Sequence, residues 1–207
     1  MVSISTMYVC GLDEAGRGPL CGPVTAGAVI LPEEYNHPLY KDSKKLTEKK
    51  RRLIAEEIRG SSHPWGIGWA SHREIDSMNI HNATLLAMTR AWEDLVRRSG
   101  ASQLEIILEQ GLAILVDGKF VPPIPGFTGE ILPVVKGDQL VTAISAASIL
   151  AKTERDAWLD DWCTENDQDD RYGLRKHKGY PTEFHRKKIA EYGPSEIHRL
   201  SFRLPQG

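Results

Sequence analysis

Two short apolar, β-prone runs open the chain, Tyr8 to Leu12 and Val24 to Leu31, and amphipathic helical stretches come only after them. Runs of this length, bounded by glycine and proline, read as buried strands. The glycine-rich connection between them suggests a hairpin closed by Pro32. Further strands are expected at Trp65 to Ser71, Gly111 to Val116 and Ile131 to Val135. Helices are expected from an N-cap at Thr47 to about Arg59, from about Ile80 to Arg98, from about Val141 to Trp162, and from about Thr182 to Tyr192. In the second of these, Leu85, Met88, Trp92 and Leu95 share one face, the mark of a core stripe. The first turns of the third, AISAASILA, are small enough to let a neighbouring element approach closely. Gln103 to Gln110 fits strand or helix, and the run Pro122 to Pro125 forbids regular structure. Leading strands, followed by helices interleaved with strands, fit an α/β sheet with an antiparallel start and parallel later strands.

Composition narrows the class. The chain has 207 residues, 41% hydrophobic and 26% charged, enough to bury a sizeable core. With no repeat and no Gly/Ser linker, one domain over residues 1–207 is expected. No apolar run approaches the roughly 18 residues that span a bilayer. The N-terminus lacks a basic-then-apolar signal pattern, so a cytoplasmic protein without a membrane partner is expected. Cys10, Cys21 and Cys163 form no C-x-x-C pair and read as buried or half-buried free thiols. His177, His185 and His198 lack a metal-ligand spacing and read as surface histidines or neighbours of phosphate contacts. The net charge of −2 hides an asymmetry: Lys41 to Arg52 and Arg171 to Lys188 are basic, while Glu154 to Asp170 is acidic. Such basic stretches can attract phosphate, although a charge run alone is usually a solvated face.

The chemistry concentrates where strands end. Asp13 and Glu14 precede Gly16, Asp117 precedes Gly118, and Asp138 follows Gly137. In α/β sheets ligand sites gather at the carboxyl ends of strands. If the first and fourth strands are neighbours, Asp13 and Asp117 meet there. Clustered carboxylates repel one another, and a divalent cation resolves the conflict; oxygen donors without His or Cys favour Mg²⁺ or Mn²⁺. Two such ions are suited to phosphodiester hydrolysis. One objection is geometric. Neighbouring strand residues face opposite ways, so Asp13 and Glu14 reach one ion only if the strand bends or a main-chain carbonyl takes part. Glu14 or Asp138 could equally cap a turn or a helix. Gly16-Arg17-Gly18 with Gly22 fails the G-x-G-x-x-G spacing, and Pro19 and Pro23 interrupt the helix that should follow, so a dinucleotide loop is rejected.

Seven pieces, in order along nearly the whole chain, then carry a resemblance: GLDEAGRGPLCGPV from Gly11, DSKKLTEKKR from Asp42, EIDSMNIHNATLLAM from Glu74, LVDGK from Leu115, VVKGDQLVTAISAASILAKTERD from Val134, HKGYPTEFH from His177 and GPSEIHRLSF from Gly193. Together they resemble bacterial ribonuclease HII, the type 2 branch of the ribonuclease H family. The resemblance implies a ribonuclease H-like α/β fold, a mixed five-stranded sheet flanked by helices. It places the catalytic core at about residues 1–160 and a helical C-terminal portion at about 161–207. It implies that Asp13, Glu14, Asp117 and Asp138 hold two Mg²⁺ or Mn²⁺ ions as the catalytic acids, and that the strand bends near Glu14. Gly16, Arg17 and Gly18 match the loop that approaches the ribose 2′-hydroxyl, the group that separates RNA from DNA. Tyr180 matches a tyrosine that packs on the adjoining deoxyribose, although on its own a core tyrosine is the plainer reading. Lys44, Lys45 and Lys178 would contact phosphates.

The implied activity is endonucleolytic hydrolysis of the RNA strand of RNA–DNA hybrids. It includes cutting 5′ of single ribonucleotides embedded in duplex DNA, leaving 3′-hydroxyl and 5′-phosphate ends, and so removing ribonucleotides from DNA. A monomer is expected, and no sliding-clamp peptide follows Phe202. Two segments look longer than the family's: Gln103 to Gln110, and the Asp117 to Asp138 stretch with its PPIPGFTG insertion. Both are expected to alter the rim of the cleft. A binding module without catalysis is the alternative of another class, and four carboxylates near phosphates argue against it.

Overall fold

The computed structural model describes residues 7–37, 40, 46–166 and 170–205. Strands β1 (Tyr8–Ala15) and β2 (Val24–Pro32) form the antiparallel hairpin. β3 (Trp65–Ala70) joins the far side of β2 antiparallel, while β4 (Leu112–Asp117) and β5 (Ile131–Val134) extend the other side in parallel. The sheet order is β3-β2-β1-β4-β5, the mixed five-stranded arrangement that the element order implies. Glu14 pairs with Ala26 and Ala15 with Thr25, so β1 runs three residues past Leu12 in unbroken register.

The helices are α1 (Glu48–Gly60), α2 (His72–Arg98), α3 (Ala101–Glu109), α4 (Gly137–Leu140), α5 (Thr142–Asn166), α6 (Leu174–His177) and α7 (Glu183–Tyr192). Thr47 and Thr182 cap α1 and α7 by accepting from the amides of Lys50 and His185. Helix α2 begins at His72, eight residues before the expected start at Ile80. Ser71 and Glu74 form a capping box there, and a break at Asn79, φ 71°, separates a short lead from the long amphipathic stretch. Asn79 starts that second stretch by accepting from the amides of His81 and Asn82. Gln103 to Gln110 resolves as helix; Ile107 is the one residue of α3 that is buried, too little pattern to show in sequence.

Strand alternation divides the core. Cys10, Leu12, Ile114 and Val116 pack with α2 on one face, while Val9, Val29 and Leu31 pack with α1 and α5 on the other. The small residues of α5 serve as expected. A Cβ on Gly11 would lie 2.1 Å from the Ala143 carbonyl carbon, and one on Gly27 2.3 Å from the Ala147 oxygen. Only glycine permits this approach of helix backbone to sheet. A third cluster joins Leu20 and Cys21 of the β1–β2 connection to Leu159 and Cys163 of α5 and to Tyr172, Leu174, Ile189 and Ile197. The hairpin connection is thus core to the C-terminal helical portion. All three cysteines are buried free thiols, as expected. The PPIPGFTG insertion packs against α2, where Thr89 donates to the Pro123 carbonyl and Phe127 meets Trp92 edge-on. Among the described residues no helix is long and apolar enough to cross a membrane.

Candidate active site

The carboxyl ends of β1, β4 and β5 lie side by side because these three strands are parallel neighbours. Alternation then sorts the acids. Val9 and Gly11 face α5, so Asp13 does too; Ala113 and Leu115 alternate with the α2-facing residues of β4, so Asp117 shares that face. Asp138 arrives from the turn after β5, where Lys136 adopts a left-handed conformation and α4 begins. The Gly137 amide donates to Asp117 Oδ1 at 2.7 Å, tying this turn to the end of β4. Glu14, one step beyond Asp13, stands part-buried at the rim, where it pairs with Arg17 at 3.2 Å, interacts with Asp13 and Asp117, and lines the same α5-side cleft as Ser148 and Lys152.

Asp13 is 5% exposed and Asp138 3%, and no Lys or Arg pairs with Asp13 among the described residues. Burial pushes the Asp13 carboxyl well above the usual carboxylate range, and the nearby charges of Glu14 and Asp117 push it the same way; the Glu14 amide, at 2.7 Å, and Ser148 oppose the rise. Glu14 is raised as well, first by burial, with Arg17 holding it down. These are the signs of an acidic cluster without its counter-charge. Among the described residues the four acids do not bring three ligand oxygens within 4.8 Å of one another. Like charges keep such a cluster open, and the hard oxygen donors, on three adjacent strand ends, fit divalent cations of the Mg²⁺ or Mn²⁺ kind.

Beside the acids lies a cleft of about 390 Å³ lined by Glu14, Gly16, Arg17, Gly18, Arg51, Ser148, Lys152 and Tyr180. Tyr180 is 44% exposed, which excludes the core reading, and its ring lies over Gly18, 3.3 Å from where a Cβ would stand. The Gly-Arg-Gly loop and Tyr180 therefore face one another across the cleft. Lys178 does not point there: its side chain is 13% exposed and its ammonium lies on Asp160 at 2.5 Å. Lys44 and Lys45 lie outside the described residues. Neither enlarged segment lines this cleft; both line a groove on the α2 side, which corrects the expectation that they alter the rim.

The loop is held from below by two arginines that motif reading passed over. Arg199, fully buried, donates to the carbonyls of Gly16, Arg17, Pro19, Gly22 and Pro23 at 2.6 to 3.2 Å. Arg155, 1% exposed, donates to Pro23, Cys21 and Lys178. Burial, then the neighbouring guanidinium, presses Arg199 downward, but five carbonyl acceptors hold it charged. Two buried positive charges under a glycine loop also favour a phosphate above it. A signal was present: Ala151, Arg155, Leu159 and Cys163 recur every fourth residue on the buried stripe of α5, where an arginine is out of place unless it has a task. The histidine reading needs correction too. His185 and His198 are 0% and 1% exposed, packed within the third cluster rather than on the surface.

Comparison with known proteins identifies the family and the fold. The family model described as Ribonuclease HII matches residues 10–204. A protein of Treponema denticola called Ribonuclease HII is 46% identical over 198 residues, covering 94% of this chain and 97% of its own length. The solved structure of the PCNA:RNase HII complex from Archaeoglobus fulgidus aligns over 97% of both chains with a TM-score of 0.69 at 22% identity. Bst-RNase HIII in complex with Mn²⁺ aligns over 97% of this chain and 68% of its own, with a TM-score of 0.71 at 16% identity.

Proposed function

This chain belongs to the ribonuclease HII family, an endoribonuclease family acting on RNA–DNA hybrids, and from that premise we propose that it cuts on the 5′ side of single ribonucleotides embedded in duplex DNA as well as within longer hybrids. One observation carries the reading: the Gly16–Gly18 loop and the Tyr180 ring face each other across the cleft that also holds Glu14, directly beside buried Asp13. Loop amides without side chains in the way reach a 2′-hydroxyl, and an aromatic face next to them suits the flatter contact of a deoxyribose. The pair reads a ribose followed by a deoxyribose.

Asp13, Asp117 and Asp138, with Glu14 at the rim, are the residues that would hold two Mg²⁺ or Mn²⁺ ions. Such ions, when bound, supply counter-charge to the cluster, lower the pKa of water and stabilise charge on phosphoryl oxygens. The protein's own part is orientation. Asp117 is fixed by the Gly137 amide, Asp13 by the Glu14 amide, and Arg17, half-exposed, stands where it can meet a phosphate. Lys152 and Arg51 add positive charge along the same wall. Hydrolysis there leaves 3′-hydroxyl and 5′-phosphate ends.

The test is cleavage of a duplex carrying one ribonucleotide beside a fully RNA–DNA hybrid, with Mg²⁺ and Mn²⁺ supplied separately and a chelator control. Cutting at the single ribonucleotide's 5′ phosphate is expected. Activity on the long hybrid alone would sink the junction reading.

A further inference from the structure

Behind Tyr180 lies a chain of hydrogen bonds whose proton positions the geometry determines. The Ser195 amide donates to His198 Nδ1 at 2.9 Å, so that nitrogen is an acceptor and His198 carries its proton on Nε2. His198 Nε2 stands 3.0 Å from His185 Nε2, which must therefore accept, leaving the His185 proton on Nδ1. His185 Nδ1 is 3.0 Å from the Tyr180 carbonyl and donates to it. One main-chain amide at the start thus sets the tautomer of both rings. The Tyr180 carbonyl also accepts from the Thr182 amide at 2.8 Å, and the Tyr180 amide donates to His177 at 3.0 Å. Both ends of this residue's main chain are tied down while its ring stays open to the cleft.

The two histidines and buried Cys21 offer ligand atoms within 4.8 Å of one another, which invites a metal site. The Ser195 amide argues against it. A cation between the two Nε2 atoms needs a lone pair from each, so His198 would carry its proton on Nδ1, directly against the Ser195 N–H. Cys21 agrees: burial pushes its thiol up to about 12, away from the thiolate a metal takes.

We propose that His198 and His185 form a strut of fixed tautomers that holds the main chain of Tyr180 at the cleft, making both histidines positioning residues for ribonucleotide selection. The proposal rests on the reading of Tyr180 given above. Its neighbours fit the role. Arg199 donates to the Gly16 carbonyl at 2.6 Å while its neighbour His198 reaches the Tyr180 carbonyl through His185, so the segment that carries both supports both walls of the cleft at once.

The first test needs no variant. In the ¹⁵N-histidine-labelled enzyme at neutral pH, two-bond proton–nitrogen spectra are expected to show His198 protonated at Nε2 and His185 at Nδ1, unchanged by added zinc. Any other tautomer in either ring, or zinc-dependent shifts of the pair, overturns the strut. The second test compares kcat/KM on a single-ribonucleotide duplex with kcat/KM on a long hybrid. H185Q keeps an acceptor for His198 but loses the donor to Tyr180, and its ratio is expected to fall roughly three- to tenfold, the worth of one hydrogen bond. H185N, whose amide replaces the Nδ1 donor, should restore the ratio, and H185Q should add nothing in a Y180A background. H185Q at the wild-type ratio while Y180A loses it, or H185N falling as far as H185Q, overturns the strut alone. An unchanged ratio in Y180A overturns the reading of Tyr180 itself, and the strut's part in selection with it.

Discussion

The four carboxylates show how far a single side chain can be understood from its position. Asp13 sits on the α5 face of β1, buried, accepting from the Glu14 amide and facing the charges of Glu14 and Asp117. Asp13→Asn keeps the shape and the acceptor but removes the charge that would hold a cation. It is expected to lower metal-dependent cleavage by roughly 10²-fold or more while duplex binding, followed by fluorescence anisotropy, stays near wild type. Full activity would remove Asp13 from the site. Gly18→Ala acts on the opposite wall. Its Cβ would lie 3.3 Å from the Tyr180 ring, forcing the ring to give way by a few tenths of an ångström. A loss of about tenfold in kcat/KM on the single-ribonucleotide duplex is expected, with a smaller loss on the long hybrid. At this scale the acids were legible in the sequence, because each stands beside glycine where an apolar run ends. Arg155 showed only as an arginine on an apolar helical stripe and Arg199 not at all, because their partners are main-chain carbonyls, which any residue supplies and no motif records.

At the scale of elements the same contrast follows from how local each signal is. Strand β2 and the periodic part of α2 were readable because their apolar pattern is continuous. The end of β1 was not, since Asp13 and Glu14 break the apolar run, and what carries the strand to Ala15 is pairing with Ala26 and Thr25 across the hairpin. The first turns of α2 were hidden because Asn79 interrupts the period, and the capping box at Ser71 and Glu74 is the signal that would have found them. The contact between α5 and the hairpin gives the sharpest element-level prediction. Gly27→Ala drives a Cβ to 2.3 Å from the Ala147 oxygen, with backbone on both sides and no flexible side chain to yield. The helix must lift from the sheet, at a cost of about 1–3 kcal/mol or more, read as a lower urea midpoint. Because Ser148 rides on α5 and Asp13 on β1, cleavage should fall further than stability alone explains. Gly60→Ala, which meets no atom within 4 Å, is the matched control and should leave both unchanged.

Across the whole molecule, the β1–β2 connection belongs to two cores. It closes the sheet hairpin, and it gives Leu20 and Cys21 to the cluster built by the end of α5 and the C-terminal segments. A cut between core and C-terminal portion would strip the acceptors from Arg199 and leave a buried charge unpaired, which is costly. The single-domain reading of residues 1–207 therefore predicts one transition, coincident by tryptophan fluorescence and far-UV circular dichroism. Its pH dependence follows from the histidines in that shared cluster. Burial lowers His185 to about 4, against the opposing pull of the Tyr180 carbonyl, and lowers His198 to about 4 with His185 adding to the shift. His177, stacked on His185, and Arg186, His72 and Cys21 are the other charged or titratable groups around the pair. Unfolded, both rings titrate near the ordinary value of about 6.5. Between these limits the unfolded chain binds more protons, so stability is full above about pH 6.5 and declines as pH falls toward 4. Protonating either ring also puts two donors face to face at the His185–His198 contact or at the Ser195 amide. Urea midpoints taken from pH 7 to 4.5 should therefore fall with acid, and the fall should be shallower in H185N/H198Q, which has nothing there to protonate. An equal slope in both proteins would place the acid sensitivity in the carboxylates instead.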